Sequence, residues 1–417
     1  MNGGPTALNS HKNNESTTLK QPTTNGYVTS ETSIQEEDGL DERGALLKIV
    51  LDIVLKANLV TGINPTEKVV EFRHPKELKE VLQVGVGVNG CSQEEMEAAL
   101  EQVVHYSVKT QHPHFYNQLY GGIDEVALTG AWMTEALNTN QYTFEVAPVF
   151  MLVEDYVISK LANLYGWPNG DGIFAPGGSL SNMYGMVMAR YKKYPDVKRT
   201  GVFGLKPLVA FTSDQGHYSV SKGASWLGVG MDNVVSVASD SQGRMKAEEL
   251  SARATYLFQQ DKHYDVSYDT GDKSVQCGRK VDAFKLWVFL KFHGLDALEK
   301  RVDAAFSASR YLSKKVAGRP GFRLVQEPQC TNVCFWYIPA SLRGLPETPE
   351  WWVKLSKVAP ELKARMVKQG TMMVGYQPIA CKNLVNFIRM VTTCTPTPTH
   401  EHMDFVISEI ERLGADL

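Results

Sequence analysis

The run Pro176-Gly-Gly-Ser179-Leu-Ser181-Asn182 places two glycines and two serines where a helical pattern begins. Glycines free the backbone, and serine together with a helix N-terminus presents donors to an anion, so the run suits a phosphate. An ordinary serine cap after a tight turn would carry the same letters. His217 follows the apolar stretch Leu208-Val-Ala-Phe-Thr212 and precedes a helix, which puts it at the carboxyl edge of a parallel sheet, where α/β proteins bind ligands. An imidazole there can stack on an aromatic ligand or exchange a proton near neutral pH; a capping or partly buried histidine is the plainer reading. Arg389 lies inside Val385-Asn-Phe-Ile-Arg-Met-Val391, where a guanidinium must be paired or face a cavity. It could clamp a carboxylate through two parallel hydrogen bonds or form a structural salt bridge. The polar stretch 259–273, which holds Tyr264 and Tyr268, has too little periodicity for a core element and reads as a lid or a solvated connector. His112, His114 and Glu145 lack metal-ligand spacing, and Cys330 and Cys334 have no second Cys or His pair nearby, so no metal site is expected.

The elements that must hold these residues begin at about residue 139. Residues 149–165 read as a helix, 176–181 as a turn, 183–194 as a helix, 208–212 as a strand, 219–226 as a helix and 234–237 as a strand. Strand, helix, strand at this spacing indicates a mostly parallel sheet of the α/β class. From about residue 320, strands at 332–338 and 386–391 and helices near 351–369 and 402–413 suggest a smaller α+β domain. Upstream, Leu46, Ile49, Val50, Ile53 and Val54 repeat at three and four, giving an amphipathic helix, and Ser92-Gln-Glu-Glu resembles a capping box at the start of another. Residues 1–42 are rich in Asn, Ser, Thr, Gln and Gly and read as a disordered tail. The expected division is that tail, a helical segment 43–138, a large domain 139–319 and a small domain 320–417.

Composition bounds the function. With 417 residues, 43% of them hydrophobic, the chain can bury a large core, which excludes global disorder. A net charge of -3 creates no field toward nucleic acid or an anionic membrane, so small molecules or other proteins are the expected partners. Six cysteines are too sparse for a disulfide scaffold and fit a reducing compartment. No apolar run approaches the roughly 18 to 20 residues that span a bilayer, and the first residues lack a hydrophobic or Arg-rich targeting pattern. A soluble, cytoplasmic protein is expected.

Longer blocks carry a resemblance. Phe115-Tyr-Asn-Gln-Leu-Tyr120, Thr143-Phe-Glu-Val-Ala-Pro-Val-Phe150, Gly170-Asp-Gly-Ile-Phe-Ala-Pro-Gly-Gly-Ser179-Leu-Ser-Asn-Met-Tyr184 and Tyr256-Leu-Phe-Gln-Gln-Asp-Lys-His-Tyr264 are similar to the animal pyridoxal-phosphate decarboxylases of acidic amino acids. So are Asp269-Thr-Gly-Asp-Lys273, Gln276-Cys-Gly-Arg279 and Asn332-Val-Cys-Phe-Trp-Tyr-Ile-Pro339, and the resemblance runs from about Lys48 to Leu417. It implies a type I pyridoxal-phosphate fold, pyridoxal 5′-phosphate as cofactor, and a homodimer with active sites at the subunit interface. Gly178, Ser179 and Ser181 match the cofactor phosphate loop, and His217 matches the histidine stacked on the pyridine ring. Gln118 and Arg389 match the positions that hold the substrate's distal acid group. Tyr264 matches the loop tyrosine that protonates the substrate's α-carbon after carbon dioxide leaves. Tyr106-Ser-Val-Lys-Thr110, Asn117-Gln-Leu-Tyr120 and Thr134-Glu-Ala-Leu-Asn138 resemble the cysteine sulfinate branch; Tyr116, Thr371-Met-Met-Val374 and the Lys-His-Tyr264 loop resemble the glutamate branch.

One departure stands out. After Glu248-Glu-Leu250 the sequence passes through Ser251-Ala-Arg-Ala-Thr255 directly into the Tyr256 block. The family has several strand and helix units there, on the order of a hundred residues at about 30 per unit. They carry an Asp-Ala-x-x-Gly-Gly block, whose Asp pairs with the pyridine nitrogen, and an Asn-Pro-His-Lys block, whose Lys forms the Schiff base. The one His-Lys dipeptide here is His11-Lys12, and the Asp-Ala pairs at Asp282, Asp296 and Asp303 lack the following glycines. The expectation is therefore an internally deleted acidic amino acid decarboxylase with little or no activity. Cysteine sulfinate is the first-choice substrate, with aspartate and glutamate as alternatives, and a non-catalytic chain that pairs with full-length subunits is the rival reading.

Overall fold

The computed structural model describes residues 42–60, 62–82, 84–86, 88–117, 121–247, 279–393 and 395–417. The tail up to residue 41, Gln118, the junction at 250–254 and the Tyr264 stretch lie outside them.

Three helices lead the described chain: α1 (Glu42–Lys56), α2 (Pro75–Leu82) and α3 (Gln93–Tyr106). The capping box at α3 is formed in both directions, with Ser92 Oγ accepting from the Glu95 N–H at 3.2 Å and Glu95 Oε2 accepting from the Ser92 N–H at 2.8 Å. Then come β1 (Phe115–Tyr116), α4 (Glu125–Leu137), α5 (Pro148–Leu164), α6 (Gly178–Lys193), α7 (Val197–Thr200), β2 (Ala210–Ser213), α8 (Ser219–Trp226) and β3 (Val234–Val237). Beyond residue 278, α9 (Asp282–Ala317) is interrupted at Gly294, whose φ of 75° breaks the helical path. It is followed by β4 (Phe322–Leu324), β5 (Asn332–Tyr337), α10 (Pro349–Leu355), α11 (Val358–Gln369), β6 (Met373–Ile379), β7 (Leu384–Val391) and α12 (His400–Leu413).

Two sheets result among the described residues. In the first, β2 and β3 pair in parallel, Ala210 opposite Val234, with α8 as the crossover between them. In the second, the order is β1-β6-β7-β5-β4, parallel at β1–β6 and antiparallel elsewhere. The expected mostly parallel pairing is thus confined, among the described residues, to β2–β3 and β1–β6. The antiparallel part follows from connection length: β6 and β7 are joined only by the short turn Ala380–Lys382 and Asn383, which reverses the chain.

The main core lies between the second sheet and helices α9 to α12. Leu312, Phe335, Leu362, Met366, Phe387 and Ile410 are fully buried there, each contributing roughly 1.5–3 kcal/mol by removal from water. Met403, Val406, Ile407, Ile410 and Leu413 form the buried stripe of α12, at helical spacing. The expected single helix at 351–369 is two helices, because Pro360 has no N–H with which to continue the ladder of α10 and sits instead in the first turn of α11. A second difference joins the parts: β1, within the segment expected to be helical, adds a strand to the C-terminal sheet through Phe115 opposite Met373 and Tyr116 opposite Val374.

Candidate active site

The glycines of the 176–182 run determine where α6 begins. Gly177 is the cap residue, with φ 98° and ψ 161°, a conformation open in practice to glycine alone, and it gives no side-chain cap. The helix therefore starts at Gly178, five residues before the expected 183, and Gly178, Ser179 and Ser181 all fall in its first turn. Ser179 is not the cap, so the plainer reading of the motif does not describe it. Ser181 Oγ donates to the Gly177 carbonyl at 3.3 Å. The uncapped first turn of a 16-residue helix, with half-exposed Ser179 and exposed Gly178, leaves backbone donors and the positive end of the macrodipole facing outward.

His217 lies where β2 gives way to α8. Its Nδ1 accepts from the Ser219 N–H at 3.2 Å, so the ring proton resides on Nε2, and Ser219 Oγ lies 2.9 Å from the same nitrogen. Ser219 Oγ in turn accepts from Asn182 Nδ2 of α6 at 2.8 Å. The imidazole is thereby fixed relative to α6; its ring lies 4.2 Å from that of Tyr218, tilted by 38°, and the residue stays exposed. Asp214, at the end of β2, accepts from the Ser239 hydroxyl, and that bond is the largest of the influences holding its carboxyl below the usual range.

Arg389 sits in β7 opposite Cys334 of β5 and Gly375 of β6. Its Nη1 donates to Gln377 Oε1 at 2.9 Å, and its Nε is buried without a hydrogen-bond partner. A Cβ at Gly375 would lie 3.3 Å from the Arg389 carbonyl, 3.4 Å from Asn117 Oδ1 and 3.7 Å from Arg389 Nε, so both side chains reach the backbone of β6 at this glycine. Lys363 of α11 donates to Asn117 Oδ1 at 3.4 Å. Burial, then the charge of Arg389, hold the Lys363 ammonium below its ordinary pKa. Burial also pushes the Cys334 thiol up to about 11, against the opposite pull of Arg389. Two cations thus meet here, and no carboxylate among the described residues forms an ion pair with either.

The two groups of residues are connected. The turn between β6 and β7 docks on the carboxyl ends of β2 and β3: Gln215 Nε2 donates to Cys381 Sγ at 2.8 Å, and Lys382 Nζ donates to the carbonyls of Ser239 and Asp240 at 2.7 Å each. Gln118 and Tyr264 lie outside the described residues. The sequence reading missed Asn117 and Lys363. The only signal for Lys363 was a charge beside Leu362, on a helix whose buried positions are Val358, Ala359, Leu362 and Met366.

The fold is that of the type I pyridoxal-phosphate enzymes, and it carries a glycine-led helix start, a histidine at a parallel sheet edge and a pair of cations in a second sheet. The chain belongs to the pyridoxal-dependent decarboxylases: the model of the pyridoxal-dependent decarboxylase conserved domain matches residues 75–254 and 247–338. It is therefore of a carboxy-lyase family. It is 40% identical to mouse cysteine sulfinic acid decarboxylase over 478 aligned positions, covering 89% of this chain and 96% of the relative. It is also 40% identical to human acidic amino acid decarboxylase GADL1 over 474 positions, covering 88% and 89%. The crystal structure of mouse CSAD superposes with a TM-score of 0.83 at 40% identity, over 89% of this chain and 99% of that one. A structure of Oryza sativa TDC with PLP and tryptamine shares the fold, with a TM-score of 0.75 at 15% identity.

The residues present fit the cofactor at one end. The uncapped turn of α6 has the donors a phosphate needs, and the unmatched Arg389 and Lys363 have the charge an acidic substrate needs. At the imine end they do not fit, since the sequence holds no Asn-Pro-His-Lys lysine and no Asp-Ala-x-x-Gly-Gly aspartate.

Proposed function

We propose that the gene encodes a decarboxylase of an acidic amino acid, with cysteine sulfinate, converted to hypotaurine, as the first substrate and aspartate as a second. Glutamate, giving γ-aminobutyrate, is the alternative. The observation that carries an acidic substrate is Arg389, half-buried with an amide for its partner and no carboxylate among the described residues. In this reading Gly178, Ser179 and Ser181 hold the cofactor phosphate, His217 covers its ring, Gln118 and Arg389 hold the distal acid group, and Tyr264 delivers a proton to the substrate's α-carbon. Bound pyridoxal phosphate supplies an electron sink; the chain supplies orientation and charge.

The chain as it stands is proposed to be an internally shortened form with little or no activity. Coverage of 89% is about 371 of the 417 residues, so about 107 of the 478 positions aligned with the mouse relative have no counterpart here. The two stretches matched by the family model also overlap at 247–254, beside the junction at which the missing blocks belong. Without a lysine amine in place, substrate has no amine to exchange with during loading and release.

A second reading, a non-catalytic chain that pairs with full-length subunits, is favoured by apolar surface. Leu47 of α1, Met133 and Leu137 of α4 and Tyr156 of α5 are each more than half exposed, and a groove of about 550 Å³ lined by Leu51, Leu55, Trp132 and Trp287 lies among α1, α4 and α9. Dimerisation, with itself or with a full-length chain, would cover such surface. Co-purification with a tagged full-length subunit tests this: mixed dimers support the pairing chain, whereas aggregation of this chain alone supports a defective product. Sequencing the messenger RNA across the codons for Leu250 to Ala254 tests the shortening itself.

A further inference from the structure

Phe174 lies three residues before Gly177, the cap of α6, in a stretch that is neither helix nor strand, and one buried charge pair holds both of its backbone groups. Glu154 Oε1 accepts from the Phe174 N–H at 2.9 Å, and Arg279 Nη1 donates to the Phe174 carbonyl at 3.3 Å. The pair itself is two-pronged, Nη1 to Oε1 at 2.5 Å and Nη2 to Oε2 at 2.8 Å, with the Arg279 and Glu154 side chains 2% and 3% exposed. Gln141 fastens it from the side: its Nε2 reaches Glu154 Oε2 at 3.4 Å, and its N–H donates to the Arg279 carbonyl at 2.9 Å.

We propose that Glu154 and Arg279 are positioning residues for the anion seat at α6, acting through Phe174. The proposal rests on the phosphate reading of Gly178, Ser179 and Ser181. Phe174 is pinned at both N–H and carbonyl, and the ring of Pro176 fixes its own φ, so few torsions remain free before Gly177. The direction in which the first-turn N–H groups of α6 point is then inherited from the buried pair. Arg279 and Glu154 are paired and shielded from solvent, so their proposed action on the seat runs through Phe174. A lysine at 279 would keep the charge and lose the fork that reaches Glu154 twice and Phe174 once.

The test compares binding of pyridoxine 5′-phosphate with that of pyridoxine, ligands without an aldehyde and so unable to label lysines. The ratio of their dissociation constants isolates the phosphate seat. The parent chain is expected to prefer the phosphorylated ligand at least tenfold. The double variant Glu154→Leu with Arg279→Met, which replaces the pair by apolar groups of similar size, is expected to fold, to bind pyridoxine as the parent does, and to lose most of that preference. Should the double variant not fold, Arg279→Lys carries the same test with the same expected loss. A purely structural role would weaken both ligands alike and leave the ratio unchanged. A folded variant with the parental ratio overturns the proposal while leaving the phosphate seat in place; a parent with no preference overturns the phosphate reading and this proposal with it.

Discussion

Arg389 gives its Nη1 to the side-chain oxygen of Gln377 at 2.9 Å and leaves its Nε buried without a hydrogen-bond partner. A guanidinium kept for structure would be expected to meet a carboxylate, as Arg279 meets Glu154. Here the partner is a neutral amide, and Lys363, whose ammonium the charge of Arg389 helps to hold below its ordinary pKa, is of the same sign. Such a seat is electrostatically incomplete until an anion enters it.

That imbalance predicts the behaviour of a chain into which the two blocks absent from this sequence have been introduced. Arg389→Ala should raise KM for acidic substrates by about 30- to 1000-fold, equivalent to roughly 2–4 kcal/mol for a stranded charged group. Lys363→Met should raise it less, because the Lys363 ammonium already has Asn117 Oδ1 as a partner. Steady-state kinetics on cysteine sulfinate and glutamate would check both, and an unchanged KM in Arg389→Ala would return this residue to a structural role.

For the chain as it stands, the absence of the Schiff-base block predicts no specific covalent attachment of the cofactor. Incubation with pyridoxal phosphate, borohydride reduction and peptide mass spectrometry should find only scattered, substoichiometric adducts on surface lysines. One stoichiometric pyridoxyl-lysine in the core would show that another lysine has taken over.

How much of this was legible in the sequence depended on the range of the interactions involved. The helix at 219–226 and the strand at 234–237 lie where local periodicity places them, and His217, between β2 and that helix, follows the end of a parallel strand as expected. The start of α6 was misplaced because Gly178 and Ser179 are weak helix formers, admitted to the first turn by the backbone freedom of Gly177. The long helix α9 was overlooked although Ala305, Ala308, Leu312 and Val316 are spaced as a buried stripe; alanines carry little hydrophobic signal. The pairing of Phe115 with Met373 bridges more than 250 residues and leaves no local trace, and so the meeting of Asn117, Lys363 and Arg389 could not be read in advance.

Tyr264 carries a prediction in the chain with the introduced blocks. A phenol that approaches once water is excluded can donate one proton in a fixed direction to the substrate's α-carbon. Tyr264→Phe keeps the ring and removes that proton, so amine product should fall by roughly 10²-fold or more, with a larger share of turnovers ending in aminated cofactor. Parental rates with no such by-product would move the role elsewhere, with His217 the next candidate.

The histidines at the start of β1 predict an acid-sensitive fold. His112 is 1% exposed; its Nδ1 accepts from the His114 N–H at 3.0 Å, so its Nε2–H is the group that faces the Glu67 carbonyl at 3.1 Å. His114 stacks on Phe405 at 3.7 Å, and its Nδ1 is buried without a partner. Burial, more than the nearby Lys109 and His402, lowers His112 to about 4, and burial followed by its neighbour His112 lowers His114 to about 4. Both are therefore neutral in the native state at pH 7, while an unfolded chain takes up protons near pH 6.5. Stability from these residues is complete above about 6.5 and declines as pH falls toward about 4, because the unfolded state binds the extra protons first. The slope is at most about 1.4 kcal/mol per pH unit for each histidine. Urea midpoints measured from pH 7 to pH 4 should fall steeply below 6.5. His114→Phe, which preserves the stacking on Phe405 and cannot titrate, should flatten that decline, leaving the part due to His112 and to His402, which burial also holds low; a profile as steep as the parent's would assign the acid sensitivity to other groups.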